Sequence, residues 1–97
     1  SWHEQTVLPD QRRLVLKTLE EDPGYSHNEN VLRSALAYWG HSISRDGMRH
    51  CLTWLFEAGL IELHSSDPTW TAKLTARGED VALGRTVAHG VARPPLG

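Results

Sequence analysis

The chain has 97 residues, the length of one domain, with room for one modest core but not for a cleft between two lobes. Hydrophobic residues make up 39% and charged residues 23%, which excludes an intrinsically disordered chain. Twelve acids against ten bases leave a net charge of -2 with histidine neutral; this excludes a histone-like coat protein but not a local basic patch.

Residues 1–7 show no periodicity and are read as an N-terminal extension, with Trp2 outside any element. A first helix is predicted over 9–21. Pro9 suits a first helical turn, where its missing N–H costs nothing. Leu8, Val15 and Leu19, with Leu16 beside them, form its apolar stripe. Asp22-Pro23-Gly24 stops it. A second helix is predicted over 29–39, with Asn28 as its N-cap and Leu32, Ala35, Leu36 and Trp39 as its core stripe. Gly40 is placed to leave that helix in a left-handed conformation.

Three residues later Ser44 caps a third helix that runs to about 58, with Met48, Cys51, Leu52 and Leu55 facing inward. Two helices joined by a turn of about four residues containing glycine make a helix-turn-helix pattern. The period then changes to two. Residues 60–64 (Leu-Ile-Glu-Leu-His) and 70–74 (Trp-Thr-Ala-Lys-Leu) read as the strands of a hairpin, joined by Ser-Ser-Asp-Pro-Thr. Thr75 caps a last short helix over 76–83. Residues 85–97, with two adjacent prolines and no period, read as an extended or mobile tail.

The expected fold is therefore mainly α with a small β-hairpin, a winged helix-turn-helix of order α-α-α-β-β-α over residues 8–84. Trp54-Leu55-Phe56-Glu57-Ala58-Gly59-Leu60-Ile61 is similar to the junction between recognition helix and wing in ArsR- and MarR-type winged-helix regulators. Leu74-Thr75-Ala76-Arg77-Gly78 is similar to their junction after the second wing strand. Pro23-Gly24-Tyr25, Ser44-Arg45-Asp46, Asp80-Val81-Ala82, Gly84-Arg85 and the Gly90, Arg93-Pro94 tail resemble a small family of uncharacterised proteins of Mu-like prophages. The regulator resemblance implies a DNA-binding winged helix. The prophage resemblance implies a phage origin and no further activity.

At 100° per residue, the third helix turns Asp46, Arg49, His50, Thr53 and Glu57 outward, with Arg45 to one side and Trp54 to the other. Arg49 has the chemistry to bond a guanine edge or a phosphate, and His50 and Thr53 have it more weakly. Ser44 and Arg45 sit at a helix N-terminus, which favours phosphate. Arg45, Arg49, His50 and Thr53 are the expected readers of double-stranded DNA, and Ser44 completes its expected contacts. Arg12, Arg13, Lys73 and Arg77 are the candidate phosphate contacts. Against this, Asp46 and Glu57 share the reading face, and the wing loop carries Asp67 and no cation. A protein-interaction or phage accessory module without direct DNA binding is the alternative. Charge is also uneven: residues 1–30 hold six acids against Arg12, Arg13 and Lys17, and the remainder is nearly balanced.

Trp2 and Trp54, off the core stripes, are candidate anchors of a homodimer, which would suit two recognition helices meeting successive major grooves. The six histidines (positions 3, 27, 41, 50, 64 and 89) include no pair at helical ligand spacing, and Cys51 has no second thiol beside it. No metal site or cofactor is expected. No phosphate loop, nucleophile elbow or paired-carboxylate motif appears, so no enzyme is expected. No run approaches the roughly 20 apolar residues of a membrane span, and the start lacks the pattern of a signal peptide. The lone Cys51 fits a reducing setting. The expected location is the cytoplasm of a bacterial host.

Overall fold

The computed structural model describes residues 1–96; Gly97, the last residue of the expected tail, lies outside the described residues. The element order is α1 (Leu8–Glu21), β1 (Ser26–Asn28), α2 (Glu29–Tyr38), α3 (Arg45–Glu57), β2 (Ile61–His64), β3 (Thr71–Leu74) and α4 (Ala76–Ala82). The three strands form one antiparallel sheet in the order β1-β3-β2. This is the winged-helix arrangement that the sequence leads one to expect, with one strand more.

The helix starts follow the capping side chains. Asn28 Oδ1 accepts from the backbone N–H groups of Asn30 and Val31 at 2.9 Å, Ser44 Oγ from Gly47 at 3.0 Å, and Thr75 Oγ1 from Gly78 at 3.0 Å. Gly40, at φ 92°, ends α2 in the left-handed region that costs glycine least. The turn between α2 and α3 thus closes as the helix-turn-helix pattern requires.

The extra strand, β1, is a three-residue polar segment, Ser-His-Asn. It has no apolar alternation to announce it. It exists because β3 offers a free edge, with Ser26 opposite Lys73 and Asn28 opposite Thr71. Tyr25, at φ 58°, makes the left-handed step that brings β1 onto that edge, and its carbonyl accepts from Leu74 N–H at 2.9 Å.

Leu14, Val15, Leu16 and Leu19 of α1, Leu32 and Leu36 of α2, and Met48, Leu52 and Leu55 of α3 are buried together with Leu60, Ile61, Ala72 and Val81. Leu8 is only half-buried, and Leu14 takes its place in the core. The reason is that α1 touches α2, α3, α4 and β3, so it buries more than one narrow stripe. Trp39 corrects a second expectation. It is 49% exposed rather than core, because α2 ends at Tyr38 and Trp39 has already left helical geometry (φ -90°, ψ 10°). The 3.6-residue period does not carry through to it.

The chain before α1 is ordered as a π-helical turn, His3–Val7, continuous with α1. Leu8 N–H bonds His3 O, and Pro9 has no N–H to continue the ladder in α-helical register. Trp2 stands at its start, 71% exposed. The segment after α4 is extended but packed. Val91 is buried, Ala92 N–H bonds Pro9 O at 3.1 Å, and Arg12 Nη1 donates to Gly90 O at 2.9 Å. Gly90 is at φ 94°, and a Cβ there would lie 2.6 Å from the Trp54 ring.

Candidate nucleic-acid interface

α3 lies on the core through Met48, Cys51, Leu52 and Leu55. Its outer side carries Arg45, Asp46, His50 and Glu57, all exposed, and Thr53, half-buried. Thr53 Oγ1 donates to Arg49 O at 2.8 Å. Ser44 is committed as the N-cap. The exposed strip thus carries the fixed charges of Arg45, Asp46 and Glu57.

Arg49 is placed differently from a free reader. Its Nε donates to Glu29 Oε1 at 2.7 Å and its Nη2 to Glu29 Oε2 at 2.8 Å. Nη2 also donates to Pro68 O at 2.9 Å, and the guanidinium lies over the Trp70 ring, 4.7 Å from its centroid. Glu29 is 1% exposed. Its Oε2 also accepts from Trp70 N–H at 2.8 Å, and its own N–H donates to Trp70 O at 2.8 Å. One carboxylate thus joins the start of α2, the middle of α3 and the return strand of the wing.

These bonds set the titration of Glu29. The hydrogen bonds from Arg49 hold its carboxyl down at about 2 from an ordinary 4.5, against the upward push of burial and with help from Trp70 N–H. The folded pKa is depressed, so the stabilisation is present above about pH 4.5 and is lost as pH falls towards 2. Cys51, on the core stripe as expected, has its thiol pushed up to about 12 by burial, which removes it as a nucleophile. Urea unfolding across pH is expected to show full stability between about pH 5 and 8, with losses towards pH 2 and above pH 9; an acid limb that is flat down to pH 2 would contradict the Glu29 bonding.

The remaining cations do not gather on one face. Arg12 lies 4.0 Å over the Trp54 ring while bonding Gly90 O. Arg13 is tied to Asp10 through Nη2 at 2.9 Å, and Asp10 also lies 2.7 Å from His41 Nε2 in the turn before α3. Burial pushes Asp10 up, but the bonds from His41 and Arg13 outweigh it and hold the carboxyl below its ordinary range. Arg12 and Arg13 are thus engaged inside the protein, and neither joins α3's outer face. Trp54 is covered by Arg12 and Gly90, which corrects its expected role as an exposed dimer anchor; Trp2 stays open. Lys73 is exposed on the outer face of the sheet opposite Glu62, and Arg77 is exposed in the first turn of α4.

Sequence reasoning missed Glu29 and Trp70. They lie 41 residues apart and bond only through the register of the folded wing. The visible signal was Asn28 as N-cap, which puts Glu29 at a helix start, where an acid looks like a simple dipole partner. Among the described residues there is no cluster of three or more His, Cys, Asp or Glu able to hold a metal, and no helix long and apolar enough to cross a membrane.

No protein-family model matches the chain. It is 38% identical over 88 residues to the uncharacterised protein gp26 of Escherichia phage Mu, covering 91% of this chain and 92% of gp26. It is 39% identical over 74 residues to an uncharacterised protein of Haemophilus influenzae, covering 75% of this chain and 72% of the other. Among solved structures, RosR of H. salinarum superposes with a TM-score of 0.64 at 23% identity, over 75% of this chain and 66% of RosR. A complex of it, hsRosR-S1, gives 0.63, with this chain spanning 63% of its length. That likeness is one of fold. The chain belongs to the family of phage Mu gp26, and its own fold is that of a winged helix.

Proposed function

We propose that this protein binds double-stranded DNA through α3 and the wing, and acts in the cytoplasm of a bacterial host as a small phage or prophage transcriptional regulator. The observation that carries this reading is the seating of α3: one side is locked into the core, and the other offers Arg45, His50 and Thr53 beside a wing tied to the same helix. In this reading the N-terminal half of α3 enters the major groove. Ser44 and Arg45 meet phosphate at its start, His50 and Thr53 face base edges, and Lys73 and Arg77 reach the flanking backbone. Arg12 and Arg13 have no part in it, because the tail and Asp10 hold them. Kinship with a phage Mu protein supports the phage setting. Two copies joined through the exposed Trp2 would present paired α3 helices to successive grooves.

A second reading, a protein-interaction module without DNA contact, is favoured by one observation: Asp46 and Glu57 share the outer strip while Arg49 is neutralised by Glu29. Fluorescence anisotropy of labelled duplexes across salt separates the two. The DNA reading expects log affinity to fall with log salt at a slope of about -3 per chain, from Arg45, Lys73 and Arg77. Arg45→Ala is expected to reduce the slope by about 1. Affinity that does not change with salt would remove phosphate contact from the account and favour the second reading.

A further inference from the structure

The bonding of Arg49 settles which of its N–H groups are free. A guanidinium offers two paired edges for a bidentate contact, Nε with Nη2 and Nη1 with Nη2. Glu29 occupies the first edge completely. Pro68 O takes the remaining Nη2 hydrogen and so breaks up the second. Trp70 covers a face of the group. Nη1 has no intramolecular partner among the described residues, and the side chain is 26% exposed. Reading a guanine edge takes two adjacent donors, and Arg49 has none to give without breaking from the wing.

We infer that Glu29 is the positioning residue of the DNA-facing surface: its carboxylate fixes the wing against α3 and turns Arg49 so that only Nη1 is left, to meet one phosphate oxygen rather than a guanine. This rests on the DNA-binding reading above. It makes the arginine at the centre of the recognition helix a contact without sequence information and leaves base selection to His50, Thr53 and their neighbours. It also accounts for the lack of cations in the wing loop, since the loop contributes by carrying Pro68 and Trp70 to Arg49.

The test uses the full chain as wild type, Glu29→Gln and Arg49→Lys, with a panel of short duplexes of unrelated sequence and with amide hydrogen exchange. Both variants are expected to bind every duplex more weakly by a similar factor, roughly tenfold. In Glu29→Gln, exchange at the Trp70 amide and the wing loop is expected to quicken by roughly tenfold beyond any change at the Leu16 and Leu52 amides. A loss confined to duplexes sharing one base at one position would show Arg49 reading that base and overturn the phosphate contact. Wing exchange that keeps step with the core would overturn the positioning role. If the wild type binds no duplex, the DNA reading and the phosphate contact fall together, and the exchange result alone decides whether Glu29 holds the wing.

Discussion

Glu29→Ala is expected to lower the unfolding free energy by about 3 kcal/mol, near the lower end of what breaking a buried ion pair costs. For a domain of this size that is a fall in Tm of roughly 12–24 °C. The substitution removes three charge-assisted bonds, two from Arg49 and one from Trp70 N–H. The cost stays at the lower end because Arg49, at 26% exposed, can be re-solvated once its partner is gone. Arg49→Ala leaves the opposite orphan, a carboxylate that is 1% exposed, and burial then becomes the largest influence on Glu29. That variant is expected to lose Glu29's share of the wild type's decline in stability between pH 4.5 and pH 2, keeping only the smaller part that Asp10 contributes. Chemical denaturation of both variants at pH 7 and pH 3 checks the pair. A Glu29→Ala protein within 0.5 kcal/mol of wild type, roughly the range of surface substitutions, would mean that the clamp contributes little.

Gly78→Ala is expected to cost more than about 4 kcal/mol and to leave little folded protein, since such domains hold only about 5–15 kcal/mol in all. Gly78 sits in the first turns of α4 with ordinary helical geometry, so conformational freedom is not at issue; space is. A Cβ there would overlap the Leu60 carbonyl oxygen and lie 2.7 Å from Leu74 Cδ1. The oxygen belongs to the backbone at the head of β2 and accepts from Thr75 N–H, so it cannot turn aside. On a solvated helix the same change would stabilise by about 1 kcal/mol through helix propensity. The two effects differ in sign, and a thermal melt of the variant distinguishes them.

The parts of this structure that could be read from the sequence are those whose causes lie within a few residues. Asn28, Ser44 and Thr75 cap helices by bonding N–H groups two or three positions on, and the periodic stripes of α2 and α3 follow from 3.6 residues per turn. The hairpin shows in its alternation and its turn residues. What stayed hidden depends on tertiary register. β1 is a strand only because β3 has an open edge. Trp39 keeps helical spacing after the helix has ended. Arg49 occupies the position of a base reader by count, yet its partners, Glu29 and Pro68, stand 20 and 19 residues away. Arg12 was a plausible phosphate contact until the chain returned at Gly90 to claim it. Local rules therefore found α3 and its exposed side, while the arrangement of its side chains was decided by non-local bonds.

The most direct measurement is selection of duplexes from a random pool by the 97-residue chain at low salt, followed by titration of the enriched sequences. The DNA-binding account expects a recurring site whose affinity falls steeply as salt rises, is weakened on all sequences by Arg45→Ala, and is relaxed at particular positions by His50→Ala or by Thr53→Ala. No enrichment over the starting pool at the lowest salt would contradict it and leave the winged helix as a surface for another protein.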